Sequence, residues 1–580
     1  MKQVKGIPYG IANFEQVINR NYYYVDKTLY LPLLEQAPNN LLLIRPRRFG
    51  KSLFIGMMRA YYDILQKDKF NDIFGELWIG KQPTNEQGMY QVLYFDFSKV
   101  GGAASIESLE ASFDAYCGSV VDVFAEKYAA YYSTTFVEEL KRKSTAREKL
   151  NFLDINAQAR SYPLYLIVDE YDNFTNIVLS AHGQDMFHRI THAEGFYRDV
   201  FKLFKGMFYR IFLTGVSPVT LDDLTSGFNI DWNISNDPRF NAMLGFSETD
   251  VREMFSYYQE NGQLNGDIET MIEEMKPWYD NYCFSQDSLD EPRMFNCDTT
   301  LYYLQHCLRS GHAPREMLSK NMRTDYSKLK MLVQIDKDIT LKGQRMSTIE
   351  EITTQEEILV NLKTSFPVHE MTNQENYRSL LYYYGLLTIS GTRGNRLRMR
   401  IPNNSVREQY FGFMREYYQQ RYELNLSDLA ELIDGLAYDG EWRPLFNAIG
   451  EAYHNNSSVR DSIQGERNIQ GFLKAYLSLA TYYLVMPELE MSYGYNDLAL
   501  LPNKAQYPDV EHSYLIEIKY AKADATEAEM EAQRIEGRAQ LLRYSQDRIA
   551  RHLAEGTTTH LLLLQFKTWE QAVFEEIEKK

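Results

Sequence analysis

Residues 41–65, LLLIRPRRFGKSLFIGMMRAYYDIL, decide the fold. LLLIRP is a short apolar run that reads as a buried strand. GKSLFIGMMRAYYDIL carries apolar residues at helical spacing. A loop joining such a strand to such a helix offers backbone N–H groups and a helix N-terminus to an anion. Its lysine reaches the β and γ phosphates, and its serine holds Mg²⁺. Gly50, Lys51 and Ser52 supply the second half of G-x-x-x-x-G-K-[ST], while Arg45 stands where the first glycine would be. Arg45, Arg47 and Arg48 are expected to add positive charge against a triphosphate, with Phe49 and Leu53 completing the contact stretch.

Further along, QVLYFDFS (91–98), LYLIVDE (164–170) and RIFLTGVS (210–217) read as strands that alternate with amphipathic helical stretches. That alternation predicts a parallel α/β sheet, whose ligands bind at the carboxyl ends of the strands. Polar residues fall at those ends. Asp169 is placed to hold Mg²⁺ through water and Glu170 to polarise an attacking water. Thr214 fits a polar sensor near the γ-phosphate, or a plain strand-end threonine. From about 245 to 430 the pattern turns helical, opening on FSETDVREMFSYY with a cap at Ser247. YRSLLYYYGLLTIS followed by RLRMRIPN reads as helix, strand, turn at Gly394-Asn395, and strand, a winged-helix-like pattern. Beyond about 440 the reading is a long helix (466–484), two strands, a charged helix (524–546) and a final apolar strand (560–566).

Those two strands are YNDLALLP (495–502) and YLIEIKY (514–520). Residues two apart share a strand face, so Glu517 and Lys519 point together, joined by Leu515, while Ile516 and Ile518 point into the core. Asp497 lies on the neighbouring strand. Asp, about twenty residues, then Glu-x-Lys suits metal-dependent phosphodiester hydrolysis: Asp497 and Glu517 hold Mg²⁺ or Mn²⁺. Lys519 orients or deprotonates the water, or stabilises developing negative charge.

With 580 residues the chain is too long for one core. A 44% hydrophobic and 24% charged composition is that of an ordinary globular protein. No apolar run approaches the roughly 18 residues of a membrane span, and the N-terminus lacks the apolar core of a signal peptide. Cys117, Cys283, Cys297 and Cys307 show no CxxC spacing and fit reduced thiols in a cytoplasmic protein. A net charge of −17 argues against coating nucleic acid by bulk electrostatics, so contacts would come from local patches. Arg396, Arg398 and Arg400 share one strand face and read either as a nucleic-acid-contacting wing or as a charge-protected edge strand. His188 and His192, four apart, lack a third metal ligand nearby.

RPRRFGKSL, YFDFS, IVDEYDNF, FLTGVS and WYDNYCF together resemble the AAA-ATPase-like family of bacterial proteins, which typically carries a C-terminal PD-(D/E)XK nuclease-superfamily domain. The family's phosphate loop is of the same RPRRFGKS type, so the arginine at 45 is a family trait. The resemblance implies an α/β chain: an AAA-ATPase-like P-loop domain over 1–245, a helical lid and winged-helix-like middle over 246–440, and a restriction-endonuclease-like domain over 441–580. It matches Glu466 to the family's helix carboxylate, with Glu490 competing for that role, and Gln540 and Tyr544 to a Q-x3-Y element. Tyr495-Asn496 depart from the family pattern before Asp497. The expectation is an ATP- and Mg²⁺-binding ATPase coupled to a divalent-metal nuclease acting on DNA or RNA, with no membrane partner and with self-association open. The alternative is a nucleotide-switched nucleic-acid-binding or regulatory protein whose nuclease-like domain does not cut.

Overall fold

A computed structural model describes residues 3–101, 105–173, 196–219, 232–314, 316–318, 332, 348–355, 357–410, 426–455, 466–477, 482–491, 494–502, 507–547, 551, 554–568 and 570–578. The stretch holding His188 and His192 lies outside them. The chain forms two compact units. The first comprises Met1–His312, Gln334–Ile339 and Glu357–Asn404; the second comprises Ala313–Val333, Thr340–Glu356 and Ser405–Lys580.

The first unit is built on five parallel strands: β1 (Asn40–Ile44), β2 (Gln91–Asp96), β3 (Leu164–Asp169), β4 (Arg210–Gly215) and β5 (Trp232–Asn233), in the order β2-β3-β4-β1-β5. All six residues of β3 and all six of β4 are buried, as expected of parallel strands covered on both faces. β4 separates β1 from β3, so the loop after β1 and the carboxylates ending β3 flank the end of β4. The helix Lys51–Tyr62 follows β1 and buries Phe54, Ile55, Met57, Met58, Tyr61 and Tyr62. It begins after Gly50, whose φ of 90° is left-handed, and no side chain caps it.

The lid-like helices follow. Glu248–Glu260 starts in a capping box in which Ser247 Oγ accepts from the Asp250 N–H and Asp250 Oδ2 accepts from the Ser247 N–H. Ile268–Tyr279 and Cys297–Ser310 complete this layer. The winged-helix-like part combines the helix Gln374–Tyr383 with β6 (Glu357–Val360), β7 (Thr388–Arg393) and β8 (Arg396–Arg400), ordered β6-β8-β7 and antiparallel. Gly394 turns the β7–β8 hairpin with φ 60°.

The second unit carries a mixed five-stranded sheet: β9 (Tyr483–Met491), β10 (Gly494–Pro502), β11 (His512–Ala521), β12 (Thr558–Lys567) and β13 (Glu570–Glu576), in the order β13-β12-β11-β10-β9. Only β11 and β12 pair in parallel. One face packs Leu498, Leu500, Ile516, Ile518, Leu562 and Leu564 with Ile469, Phe472 and Leu473 of the helix Glu466–Leu477. The other packs Ala499, Leu501, Leu515, Leu561 and Leu563 with Leu541 and Tyr544 of the helix Glu527–Tyr544.

Two expectations need correction here. The helix foreseen over 466–484 is described as Glu466–Leu477, and Tyr483 already opens β9. Aromatic and branched residues there prefer a pleated strand, and Pro487 is tolerated because β9 is an edge strand. The chain also continues past the last expected strand into β13.

Gly215 ends β4 where a side chain has no room. A β-carbon there would lie 2.3 Å from Asp172 Oδ1 and 2.6 Å from the Tyr171 ring. Both neighbours are buried, and Asp172 also accepts the Val216 N–H at 3.2 Å. Gly215→Ala is expected to lower stability by about 1–3 kcal/mol through overpacking. Gly118→Ala, inside the helix Ile106–Lys127 with Lys149 Nζ no nearer than 3.7 Å, is expected to raise it by up to about 1 kcal/mol. Urea unfolding of the two variants beside wild type checks both signs.

Candidate functional sites: a phosphate loop and a carboxylate–lysine strand pair

The phosphate loop is held by charge buried beneath it. Arg45 is 1% exposed. Its Nη1 donates to Ile44 O at 3.0 Å and Ser235 O at 2.5 Å, and its Nη2 to Phe240 O at 3.0 Å. The guanidinium also lies 4.2 Å from the Phe284 ring centroid. This corrects the expectation that Arg45 adds charge against a triphosphate: its donors point to carbonyls in the core. Phe49 packs edge-on against Tyr282 and Phe284 and also lines the cavity of the loop.

The other loop residues come together at a cavity of about 490 Å³. Arg47, Arg48, Gly50, Lys51, Ser52, Leu53 and Glu170 line it, opposite apolar side chains such as Ile11, Val25, Met243 and Leu301. Lys51 Nζ donates to Arg45 O at 3.0 Å and Pro46 O at 2.9 Å. Ser52 Oγ donates to Asp169 Oδ2 at 2.7 Å, linking the helix start to the end of β3. Asp169 Oδ1 accepts the Glu170 N–H at 3.0 Å, and Glu170 adopts φ 50°. Burial raises the Asp169 carboxyl to about 6, against the lowering pull of Ser52 and Lys51. Burial also lowers the Lys51 ammonium to about 8, with Asp169 the strongest opposing influence. Thr214 is fully buried at the end of β4, and its hydroxyl has no hydrogen-bond partner among the described residues.

In the second unit Asp497, Glu517 and Lys519 meet on one sheet face. Leu498 pairs with Ile516 across β10 and β11, which brings Asp497 beside Glu517. Asp497 Oδ2 accepts the Ile518 N–H at 2.8 Å, and Asp497 O accepts from Gln470 Nε2 at 2.6 Å. Lys519 Nζ donates to Glu517 Oε1 at 3.0 Å and to Gln540 Oε1 at 2.8 Å. Glu517 is 2% and Lys519 9% exposed. The Tyr544 hydroxyl is raised by burial and then by the neighbouring Glu517 and Asp497 charges. Glu466 is the first residue of its helix, four before Gln470. Asn496 faces the opposite side of the sheet, with its Nδ2 donating to Ile516 O at 3.1 Å.

Residues 8–225 match the family model described as a predicted AAA-ATPase, and residues 464–576 match that of the PD-(D/E)XK nuclease superfamily. The chain joins an AAA-ATPase-like domain to a PD-(D/E)XK-superfamily domain. A protein of Azotobacter chroococcum mcd 1, described as an uncharacterized protein in the vnfD 5' region, is 29% identical over 303 residues, 50% of each chain. The chain thus spans about half the length of the curated relative it matches. Among solved structures, the ORC2 protein of Aeropyrum pernix in ADPNP–ADP complexes aligns at 11% identity over 69% of this chain and 98% of that one, with a TM-score of 0.29. Cdc6p of Pyrobaculum aerophilum aligns at 11% over 68% and 97%, with a TM-score of 0.25. Likenesses this weak say nothing about activity.

In the first unit, Asp298 lines the cavity without any signal in the loop motif. In the PD-(D/E)XK-superfamily domain, the unforeseen residue is Gly537. A β-carbon there would meet Leu563 Cδ1 at 2.6 Å, Lys519 Cε at 3.3 Å and Glu517 Cγ at 3.6 Å. A glycine inside a helix costs about 1 kcal/mol relative to alanine, and here it lets the helix close over the Glu-x-Lys strand. The outward arginines of β8 are partly engaged: Arg396 Nη2 donates to Leu359 O and pairs with Glu375 at 3.3 Å, and Arg398 lies 3.9 Å from Glu357. Arg400 is exposed.

Because Arg45 serves three carbonyls, Arg45→Ala is expected to cost about 3 kcal/mol or more in stability, from the cavity and the orphaned acceptors. Arg45→Lys is expected to recover little, since one ammonium does not reproduce the guanidinium fork. Chemical denaturation of both variants measures this.

Proposed function

We propose that the chain binds Mg²⁺–ATP through its AAA-ATPase-like domain, hydrolyses it, and cleaves DNA or RNA phosphodiesters through its C-terminal domain. In this reading residues 1–245 hold the nucleotide, 246–440 respond to it, and 441–580 cut. The observation that carries the nuclease assignment is Lys519 Nζ held between Glu517 and Gln540, with Asp497 on the adjoining strand.

The residues fit the groups this chemistry needs. The uncapped helix after Gly50 turns its first N–H groups to an anion, and Ser52 and Asp169 offer oxygen to a hard cation. Lys51 and Arg47 supply positive charge, Glu170 sits beside Asp169 to orient water, and Thr214 presents a hydroxyl between the two strands. In the second domain Asp497 and Glu517 would hold the cation, together with water and substrate phosphate. Among the described residues no group of three or more His, Cys, Asp or Glu side chains is gathered into a ready cage. A bound divalent ion supplies Lewis acidity and a lower pKa for water. Lys519 would position such a water and stabilise charge developing on the phosphate, and Gln540 would aim Lys519.

A second reading is a nucleotide-switched protein that binds nucleic acid without cutting. The net charge of −17 and the Tyr495-Asn496 departure before Asp497 favour it.

Incubation of labelled DNA and RNA with the full chain, with Mg²⁺ or Mn²⁺ and with or without ATP, separates the two. Cleavage that falls by about 10²-fold or more in Lys519→Ala and Glu517→Gln supports the nuclease. Retained nucleic-acid binding with no products across the panel supports the second reading. At the nucleotide site the Asp169 carboxyl, raised to about 6, is protonated below that pH and loses its charge. The Mg²⁺-dependent gain in ATP affinity is therefore expected to fall as pH drops through about 6, with a lower midpoint once the cation is bound. Asp169→Asn should flatten the profile, measured by nucleotide titration at each pH.

A further inference from the structure

We propose that Asp298 is an electrostatic latch on the phosphate loop, which holds Arg48 and thereby sets how strongly the cavity takes a polyphosphate. The proposal rests on the nucleotide-binding reading above and names a residue that tunes it. Arg48 precedes Lys51 by three positions and adopts φ 68°, a left-handed backbone that non-glycine residues hold only where their surroundings impose it. Its Nη1 lies 3.5 Å from Asp298 Oδ2, with the two side chains only 20% and 16% exposed. Both residues line the same cavity as Lys51, Ser52 and Glu170.

The backbone that carries the carboxylate is fixed by its own element. Asp298 stands in the first turn of the helix Cys297–Ser310, where Asn296 Oδ1 accepts the N–H groups of Asp298 and Thr299. A negative charge there is favoured by the helix dipole. The helix start also packs on the loop: a β-carbon on Gly50 would lie 3.9 Å from Cys297 Sγ. An anionic side chain is thus anchored against a loop whose other features suit anions.

The balance of charge around the cavity gives the latch its consequence. Arg47, Arg48 and Lys51 are positive; Lys27 is paired with Asp250 at 2.8 Å; Glu170 and Asp298 are negative. A polyphosphate on the loop competes with Asp298 for Arg48 and is repelled by Asp298 itself. Both effects grow with the number of phosphates, and both act in a partly buried site where salt screens little. Transfer of Arg48 from Asp298 to the phosphate would also release the start of the helix Cys297–Ser310, coupling the loop to the lid.

Displacement of a fluorescent ATP analogue by ATP, ADP and adenosine tests the proposal on the full-length wild type, Asp298→Asn, Arg48→Gln and the double variant. Asp298→Asn is expected to tighten ATP by roughly tenfold, ADP by less, and adenosine not at all. Unchanged adenosine binding shows that the cavity is intact. The gain should shrink in the Arg48→Gln background, since the two side chains act as a pair. Unchanged or weaker ATP binding by Asp298→Asn, while the wild type binds ATP, overturns the latch alone. No ATP binding by the wild type overturns the nucleotide reading, and the latch with it.

Discussion

One buried guanidinium governs the first unit. Arg45 occupies the corner where phosphate loops of the G-x-x-x-x-G-K-[ST] type have a glycine, and it turns inward to three main-chain carbonyls and the face of Phe284. A charge so deeply desolvated is costly unless it is hydrogen-bonded, and both Nη groups of Arg45 have carbonyl acceptors. Those partners lie near 235–240 and 284, so the end of β1 is tied to segments about 190 and 240 positions away. With the corner pinned, the Arg45 and Pro46 carbonyls face Lys51, and Gly50 can take the left-handed turn that opens the next helix. The hydrogen bond from Ser52 to Asp169 then fixes that helix against the end of β3.

The C-terminal domain meets the same constraint differently. Glu517 and Lys519 sit on a strand buried on both faces, where an unpartnered charge would be costly. They answer each other, and Gln540 supplies a further contact to Lys519 from a helix that approaches closely because residue 537 has no side chain. Asp497 is oriented by the backbone of β11 and by Gln470, so its place depends on the sheet rather than on a salt bridge. Both units therefore hold their polar groups at strand ends and faces chosen by register, and both use a glycine or an inward side chain to bring a helix close.

Much of this is legible in the sequence. Short unbroken apolar runs mark β1 to β4 because strands buried on both faces need no alternation, and Ser247 marks its helix through a local capping pattern. The alternation in YLIEIKY put Glu517 and Lys519 on one face, where the structure has them. What escaped had no local signal. β5 is two residues long, β9 begins six residues after a helix in an aromatic run, and the inward turn of Arg45 depends on partners far along the chain. Gly215, Gly537 and Asp298 matter through what they touch across the fold, which composition and spacing do not carry.

The central claim is that the loop pinned by Arg45 presents Lys51, Ser52 and Asp169 as one Mg²⁺–nucleotide site. Calorimetric titration of ATP into the full chain, with Mg²⁺ and after chelation, and into Ser52→Ala, tests it most directly. The account predicts one nucleotide per chain, with affinity that drops on chelation and drops again in Ser52→Ala. Binding indifferent to Mg²⁺ and to that substitution, or no binding at all, would contradict it.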